Sequence, residues 1–169
     1  RTVMRLNVEG TWLMTHAVAT KAMIPGGGGK VLSVTISPHH GLPGIAHSSA
    51  ARAAVENLMR VLSIEWARYG IKLNAIAAGQ FGTDTLYTKY PQPIVENLAG
   101  TVPLGRLGRP EEIAWLVALL ASPAGDFVSG TTLTMDGARD NWLGTWPPAR
   151  GADESGAPLA EARQASPGA

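Results

Sequence analysis

Near the middle of this sequence, two side chains able to handle a negatively charged oxygen stand four residues apart: Ser48 and Arg52. Residues at that spacing are neighbours on one helix face. An arginine offers a fixed positive charge and several hydrogen-bond donors to an oxygen, and it stays protonated under ordinary conditions. A serine can orient an oxygen and is a poor acid on its own. Both residues also have ordinary uses, Ser48 as the N-cap of a helix and Arg52 as a solvated helix residue. The chain has no cysteine, which removes disulfides, thiolate catalysis and Cys-ligated zinc. Its four histidines, His16, His39, His40 and His47, are not paired with carboxylates at helical spacing, so no metal site is predicted. His39 and His40 are expected to occupy a turn, and His47 either fills a turn or donates a proton.

The elements that must hold the pair follow from hydrophobic period. Residues 47–69 carry Ala50, Ala54, Leu58, Val61, Leu62 and Trp66 at helical spacing, with Gly70 as the expected C′ residue. Residues 30–36, rich in β-branched side chains, predict a buried parallel strand, and residues 71–77 repeat the pattern. Strand, helix, strand is the signature of a βαβ unit. Residues 2–23 predict another helix, ended by Pro25 and the glycines that follow. Residues 83–102 are polar, punctuated by Pro91 and Pro93, and predict a loop with one short helix at 93–98. A connection of that length suits a lid. Pro110 at an N1 position, followed by Glu111 and Glu112, starts a further helix, and residues 131–135 give a third strand.

At 169 residues the chain fits a single domain. We expect that domain over 1–146 and a disordered tail over 147–169, where Leu159 is the one large aliphatic residue. Apolar residues are 45% and charged residues 16%, too hydrophobic for wholesale disorder. No apolar run approaches the ~20 residues of a spanning helix. Lys plus Arg (14) against Asp plus Glu (13) leaves a net charge of +1, so no broad field points to nucleic acid or an anionic membrane. Absence of cysteine fits a reducing compartment, and a cytoplasmic location is expected. The first residue is Arg1, and an N-terminally incomplete chain is expected.

Six landmarks in order carry a family resemblance. They are Asn7-Val8-Glu9-Gly10-Thr11; the strand Val31 to Ile36; Ala53-Ala54-Val55 through Glu65-Trp66-Ala67; Asn74-Ala75-Ile76-Ala77-Ala78-Gly79 with Thr83 four later; Pro103-Leu104-Gly105-Arg106-Leu107-Gly108 with Pro110-Glu111-Glu112; and Ser129-Gly130 leading to Asp136-Gly137. This order resembles the C-terminal half of a short-chain dehydrogenase/reductase. The piece Ala46-His47-Ser48-Ser49-Ala50-Ala51-Arg52-Ala53-Ala54-Val55 is similar to the branch of peroxisomal trans-2-enoyl-CoA reductases and citronellol-type dehydrogenases. The resemblance implies an α/β fold, a Rossmann-like parallel sheet with flanking helices, lacking its N-terminal half. It also implies NAD or NADP bound over the carboxyl ends of the strands. The glycine-rich first βα turn and the residue that selects the coenzyme would lie upstream of Arg1.

The site roles come from that resemblance. Ser48 and Arg52 stand at the positions of the family's Tyr-x-x-x-Lys, the sharpest departure from its pattern. The family's catalytic serine falls at Pro38, with Ser37 one residue early. Asn7 matches the helix asparagine that holds an active-site water, or is a plain packing amide. Gly79, Phe81 and Thr83, with Arg52, match the cofactor-binding set, although a glycine after a strand is expected in any turn. Losing tyrosine and serine together harms carbonyl or alcohol chemistry most. Reduction of an enoyl thioester is less demanding, because donors such as Ser48, Arg52 and His47 can stabilise an enolate while water protonates carbon. The leading expectation is therefore an NAD(P)H-dependent reductase of an enoyl-CoA. The alternatives are a dehydrogenase of terpenoid or other secondary alcohols and a catalytically inactive fragment or assembly subunit. Partners expected are a small-molecule acyl-CoA or alcohol and further copies of the chain, with no nucleic acid and no membrane. The chain alone is expected to bind no dinucleotide with useful affinity.

Overall fold

The computed structural model describes residues 1–142 apart from positions 38 and 43, so Pro38 and the tail expected over 147–169 lie outside the described residues. Strands β1 (Gly29–Ile36), β2 (Ile71–Ala78) and β3 (Thr132–Met135) form one sheet in that order, and both pairs are parallel. Register runs from Gly29 opposite Ile71 to Ile36 opposite Ala78, so β1 and β2 end level. Ala78 lies opposite Met135, which brings the end of β3 to the same line. The central strand is the most deeply buried, with Leu73, Ala75, Ile76 and Ala77 all fully enclosed, as expected of a parallel strand covered on both faces. Its one buried polar side chain, Asn74, is satisfied: the amide donates to the Val128 carbonyl at 2.8 Å and accepts from the Thr131 N–H at 3.1 Å. Among the described residues the outer edge of β1 has no strand beside it, and Val34 there is 58% exposed. An open apolar edge of this kind invites a further strand.

Residues 2–23 form one helical rod in four pieces: α1 (Thr2–Met4), a π turn (Arg5–Glu9), α2 (Gly10–Val18) and a second π turn (Ala19–Met23). The long helix α3 (Ala46–Glu65) connects β1 to β2 and packs against both. It begins one residue before the expected start. Its buried stripe is Ala51, Val55, Glu56, Met59, Leu62 and Ser63, the three- and four-residue spacing of one face. Met59 and Leu62 meet Trp66, Ile71, Leu73, Ala75 and, from the rod, Ala19 in the main core cluster. Gly70 takes a left-handed conformation (φ 72°) after a 3₁₀ turn, the role predicted for it.

The segment 83–102 differs from the expected loop with one short helix. It holds two helices, α4 (Asp84–Lys89) and α5 (Gln92–Gly100). The Thr83 hydroxyl caps the first by accepting the Leu86 N–H at 3.2 Å. Pro91 ends that run, and Pro93 sits in the first turn of α5, where its missing N–H costs nothing. Local capping outweighed the weak apolar period here. Helix α6 (Pro110–Ala121) starts as predicted. Glu112 accepts the Arg109 N–H and both Arg106 guanidinium nitrogens, each at 2.8 Å. Those Arg106 bonds first, then the Arg109 N–H, hold the Glu112 carboxyl down to about 2.

Candidate active site

The carboxyl ends of the three strands converge on a short polar chain. Ser37 follows β1, is 4% exposed, and donates its backbone N–H to the Ala78 carbonyl at 2.9 Å. Its hydroxyl donates to Asp136, which directly follows β3. Gly79, which follows β2, allows this meeting: a Cβ built there would lie 2.5 Å from the Asp136 Cβ. Only a residue without a side chain fits so close an approach. The second Asp136 bond is at the same Oδ2, which accepts the Asp140 N–H at 2.7 Å.

Beyond this line stand Ser48 and Arg52. Helix α3 runs back down the sheet, and its Glu56 accepts a hydrogen bond at 2.8 Å from Thr35, the penultimate residue of β1. At a rise of 1.5 Å per residue, Arg52 sits ~6 Å and Ser48 ~12 Å farther along the helix axis, past the strand end. Side chains on a helix tilt toward its N-terminus, and the Arg52 Nη1 reaches Ser48, donating to its hydroxyl oxygen and, at 3.4 Å, to its carbonyl. The N-cap of α3 is Ile45, whose carbonyl accepts the N–H groups of Ser48 (2.9 Å) and Ser49 (3.0 Å). Ser48 is thus inside the helix with its oxygen engaged by a cation, and the capping alternative is excluded. Among the described residues Arg52 has no carboxylate partner.

Other predicted site residues fall into two groups. Phe81 pairs as an isolated bridge with Gly108 and lines a small hollow with Gln80, Val102 and Asp136. Thr83 leads away from the β2 tip as the α4 cap. Asn7 lies in the first π turn, half-buried, with its amide donating to the Val3 carbonyl at 3.0 Å. That turn packs against α3, but no hydrogen bond joins Asn7 to Ser48 or Arg52 among the described residues. His47 is exposed on the first turn of α3.

Sequence reasoning missed the histidine and acid cluster beside the pair. His39 Nδ1 meets Asp140 Oδ2 at 2.6 Å, and its backbone N–H donates to Asp140 Oδ1 at 2.5 Å. His39 Nε2 faces Glu56 Oε2 at 3.3 Å, and His40 Nδ1 faces Asp140 Oδ1 at 3.1 Å. The Asp140 hydrogen bond raises the His39 pKa; burial opposes it, and the Glu56 and Asp140 charges add to it. Burial acts against the Asp140 carboxylate, yet the His39 side-chain and backbone bonds outweigh it and hold the group below its ordinary value. The partners of His39 lie 17 and 101 residues away in the chain, so no local spacing announces them. Among the described residues no group of histidines and acids is arranged to hold a metal ion. No described helix is long and apolar enough to cross a membrane.

A family model described as enoyl-(acyl carrier protein) reductase matches residues 1–138. The chain belongs to the short-chain dehydrogenase/reductase family. Its short-chain dehydrogenase/reductase relatives include a probable 2,4-dienoyl-CoA reductase of Bacillus subtilis, 35% identical over 87% of this chain and 59% of that protein. Another is the gluconate 5-dehydrogenase of Gluconobacter oxydans, 34% identical over 80% of this chain and 53% of that protein. Among solved structures, a gluconate 5-dehydrogenase from Burkholderia cenocepacia in complex with NADP and tartrate superposes with a TM-score of 0.75 at 34% identity, covering 83% of this chain and 55% of that one. The chain spans a little over half the length of the curated relatives it matches. Family membership makes the three-stranded sheet a portion of a Rossmann-like domain, with its candidate site at the carboxyl ends of the strands.

Proposed function

We propose that this chain supplies the substrate-side helix and strand tips of an NAD(P)-dependent oxidoreductase that reduces the activated C=C bond of an enoyl-CoA. One observation carries the reading: the guanidinium of Arg52, without a carboxylate partner among the described residues, donates to the hydroxyl oxygen of Ser48 past the end of the sheet. A hydroxyl whose oxygen already accepts from a cation is a stronger donor through its own hydrogen.

The residues present fit the nicotinamide end of a dinucleotide. The space beside Gly79 is taken by Asp136, so the fit rests on Arg52, which has donors left for a ribose hydroxyl. A bound reduced nicotinamide would supply hydride to the β-carbon. Ser48 donates to the thioester oxygen as negative charge gathers there, and Arg52 holds Ser48 in place and adds positive charge. Water then protonates the α-carbon, so neither residue is asked to be a strong acid. Asn7 orders that water, His47 adds a donor to the oxyanion, and Phe81 and Thr83 contact the cofactor.

A second reading, oxidation of an alcohol, is favoured by the sugar-acid and polyol dehydrogenases among the relatives and by a citronellol catabolism dehydrogenase of Pseudomonas aeruginosa among the similar structures. Assays of the full protein that carries this chain, with crotonyl-CoA and NADPH beside citronellol and NADP, separate the two. Turnover of the thioester supports the first; turnover of the alcohol alone transfers the assignment. We also propose self-association, since the groove between the rod and α3 exposes Met4, Trp12 and Val61, with Leu6 71% exposed beside it. Sedimentation would read a dimer or tetramer.

A further inference from the structure

The buried carboxylate on α3 should not leave Arg52 alone. Glu56 lies one turn beyond Arg52, at the spacing that favours an ion pair, and its side chain is only 6% exposed. Arg52 nevertheless turns the other way, to Ser48. Glu56 is otherwise occupied: Oε1 accepts from Thr35, while Oε2 faces His39 Nε2 at 3.3 Å and Arg60 at 3.9 Å. His39 meets Asp140 through its other ring nitrogen. Two carboxylates facing the two ring nitrogens are matched with two donors only by an imidazolium.

We infer that His39 is a positioning residue for Arg52: by spanning Glu56 and Asp140 it holds Glu56 against β1 and leaves the Arg52 guanidinium directed at Ser48. This deepens, and rests on, the reading of Ser48 and Arg52 as the oxyanion donors. The span also ties the β1-to-α3 loop to the segment after β3, whose Asp140 N–H is itself held by Asp136. The charged and titratable groups around His39 are Glu56 and Arg60 from α3, Asp140 and Asp136 from the segment after β3, and His40 from its own loop. The three carboxylates favour a cation at His39, while Arg60, which meets the same Glu56 Oε2 at 3.9 Å, opposes one. The raised pKa of His39 agrees with that balance. As pH rises through that value the imidazolium is lost, and Glu56 is released to compete for Arg52.

The test follows histidine ring and arginine Nε–H resonances of the full chain by NMR from about pH 5 to pH 10. The expected result is a His39 titration above the ordinary range, with the Arg52 resonance shifting at the same midpoint. Glu56→Gln and Asp140→Asn should each lower that midpoint by about one pH unit or more. His39→Gln should abolish the Arg52 shift. An ordinary His39 midpoint indifferent to both substitutions overturns the inference, and so does an Arg52 resonance that ignores His39. In the full protein, an alkaline loss of kcat at near-constant KM should follow the same midpoint and vanish in His39→Gln. If the parent protein reduces no enoyl-CoA, the oxyanion reading fails, while coupled His39 and Arg52 titrations still sustain the positioning.

Discussion

One face of α3 does two different jobs along its length. Toward its C-terminus the face presents Met59 and Leu62, enclosed against β2 and Trp66. Toward its N-terminus the face carries Glu56, Arg52 and Ser48 alongside the enclosed Ala51 and Val55. The change comes where the helix passes the end of β1, marked by the Thr35–Glu56 hydrogen bond. Below that point the large side chains of the stripe, Met59 and Leu62, pack into the core against the sheet. Above it the enclosed side chains are the smaller Ala51 and Val55, and Arg52 and Ser48 bond to one another. The comparison teaches that the helical period locates the site only together with the strand end that interrupts it.

Substitutions on either side of that boundary should therefore separate stability from chemistry. Met59→Ala leaves a cavity in the core and should cost about 2–5 kcal/mol in denaturant unfolding, with little change in rate per folded molecule. Gly79→Ala forces a Cβ against the backbone and Cβ of Asp136 at about 2.5 Å; an overpacked tip should lose ~1–3 kcal/mol and displace Ser37 and Asp140 with it. Thr35→Val strips Glu56 of its hydroxyl donor, and the expected loss is ~1–2 kcal/mol. Equal losses of stability from Met59→Ala and Arg52→Ala would erase the boundary.

The smallest effect is a pH dependence at the boundary itself. The folded-state pKa of His39 is raised, so its contribution is fully present below the unfolded value near ~6.5 and is lost as pH rises through the folded value. Asp140 has a lowered folded pKa, so its contribution holds above the ordinary carboxylate value and disappears as pH falls through the folded one. Unfolding free energy should decline on the alkaline side in the parent chain, and less so in His39→Gln. An identical slope in both would remove His39 from the account.

Much of this was legible from sequence because the signals are local. The β-branched runs gave β1 and β2 within one residue, and Pro110 with two glutamates gave the start of α6. Ser48 and Arg52 meet because i and i+4 always do on a helix. Two kinds of feature were not legible. Helices α4 and α5 depend on capping by Thr83 and on Pro91 and Pro93, which in sequence resemble loop punctuation. The His39–Glu56–Asp140 cluster depends on tertiary return of the chain after β3, and histidines in a Pro- and Gly-rich turn carry no mark of partners 101 residues away. The registers of β1 with β2 and of β2 with β3 supply that information.

The central claim is that Ser48, held by Arg52, is the donor that stabilises charge on the substrate oxygen. It is tested most directly by kcat for crotonyl-CoA reduction in the full protein, parent against Ser48→Ala, with unfolding free energy measured on the same samples. The account predicts a fall of about 10²-fold or more with stability changed by less than about 1 kcal/mol. Reduction at the parent rate by the alanine variant would contradict it.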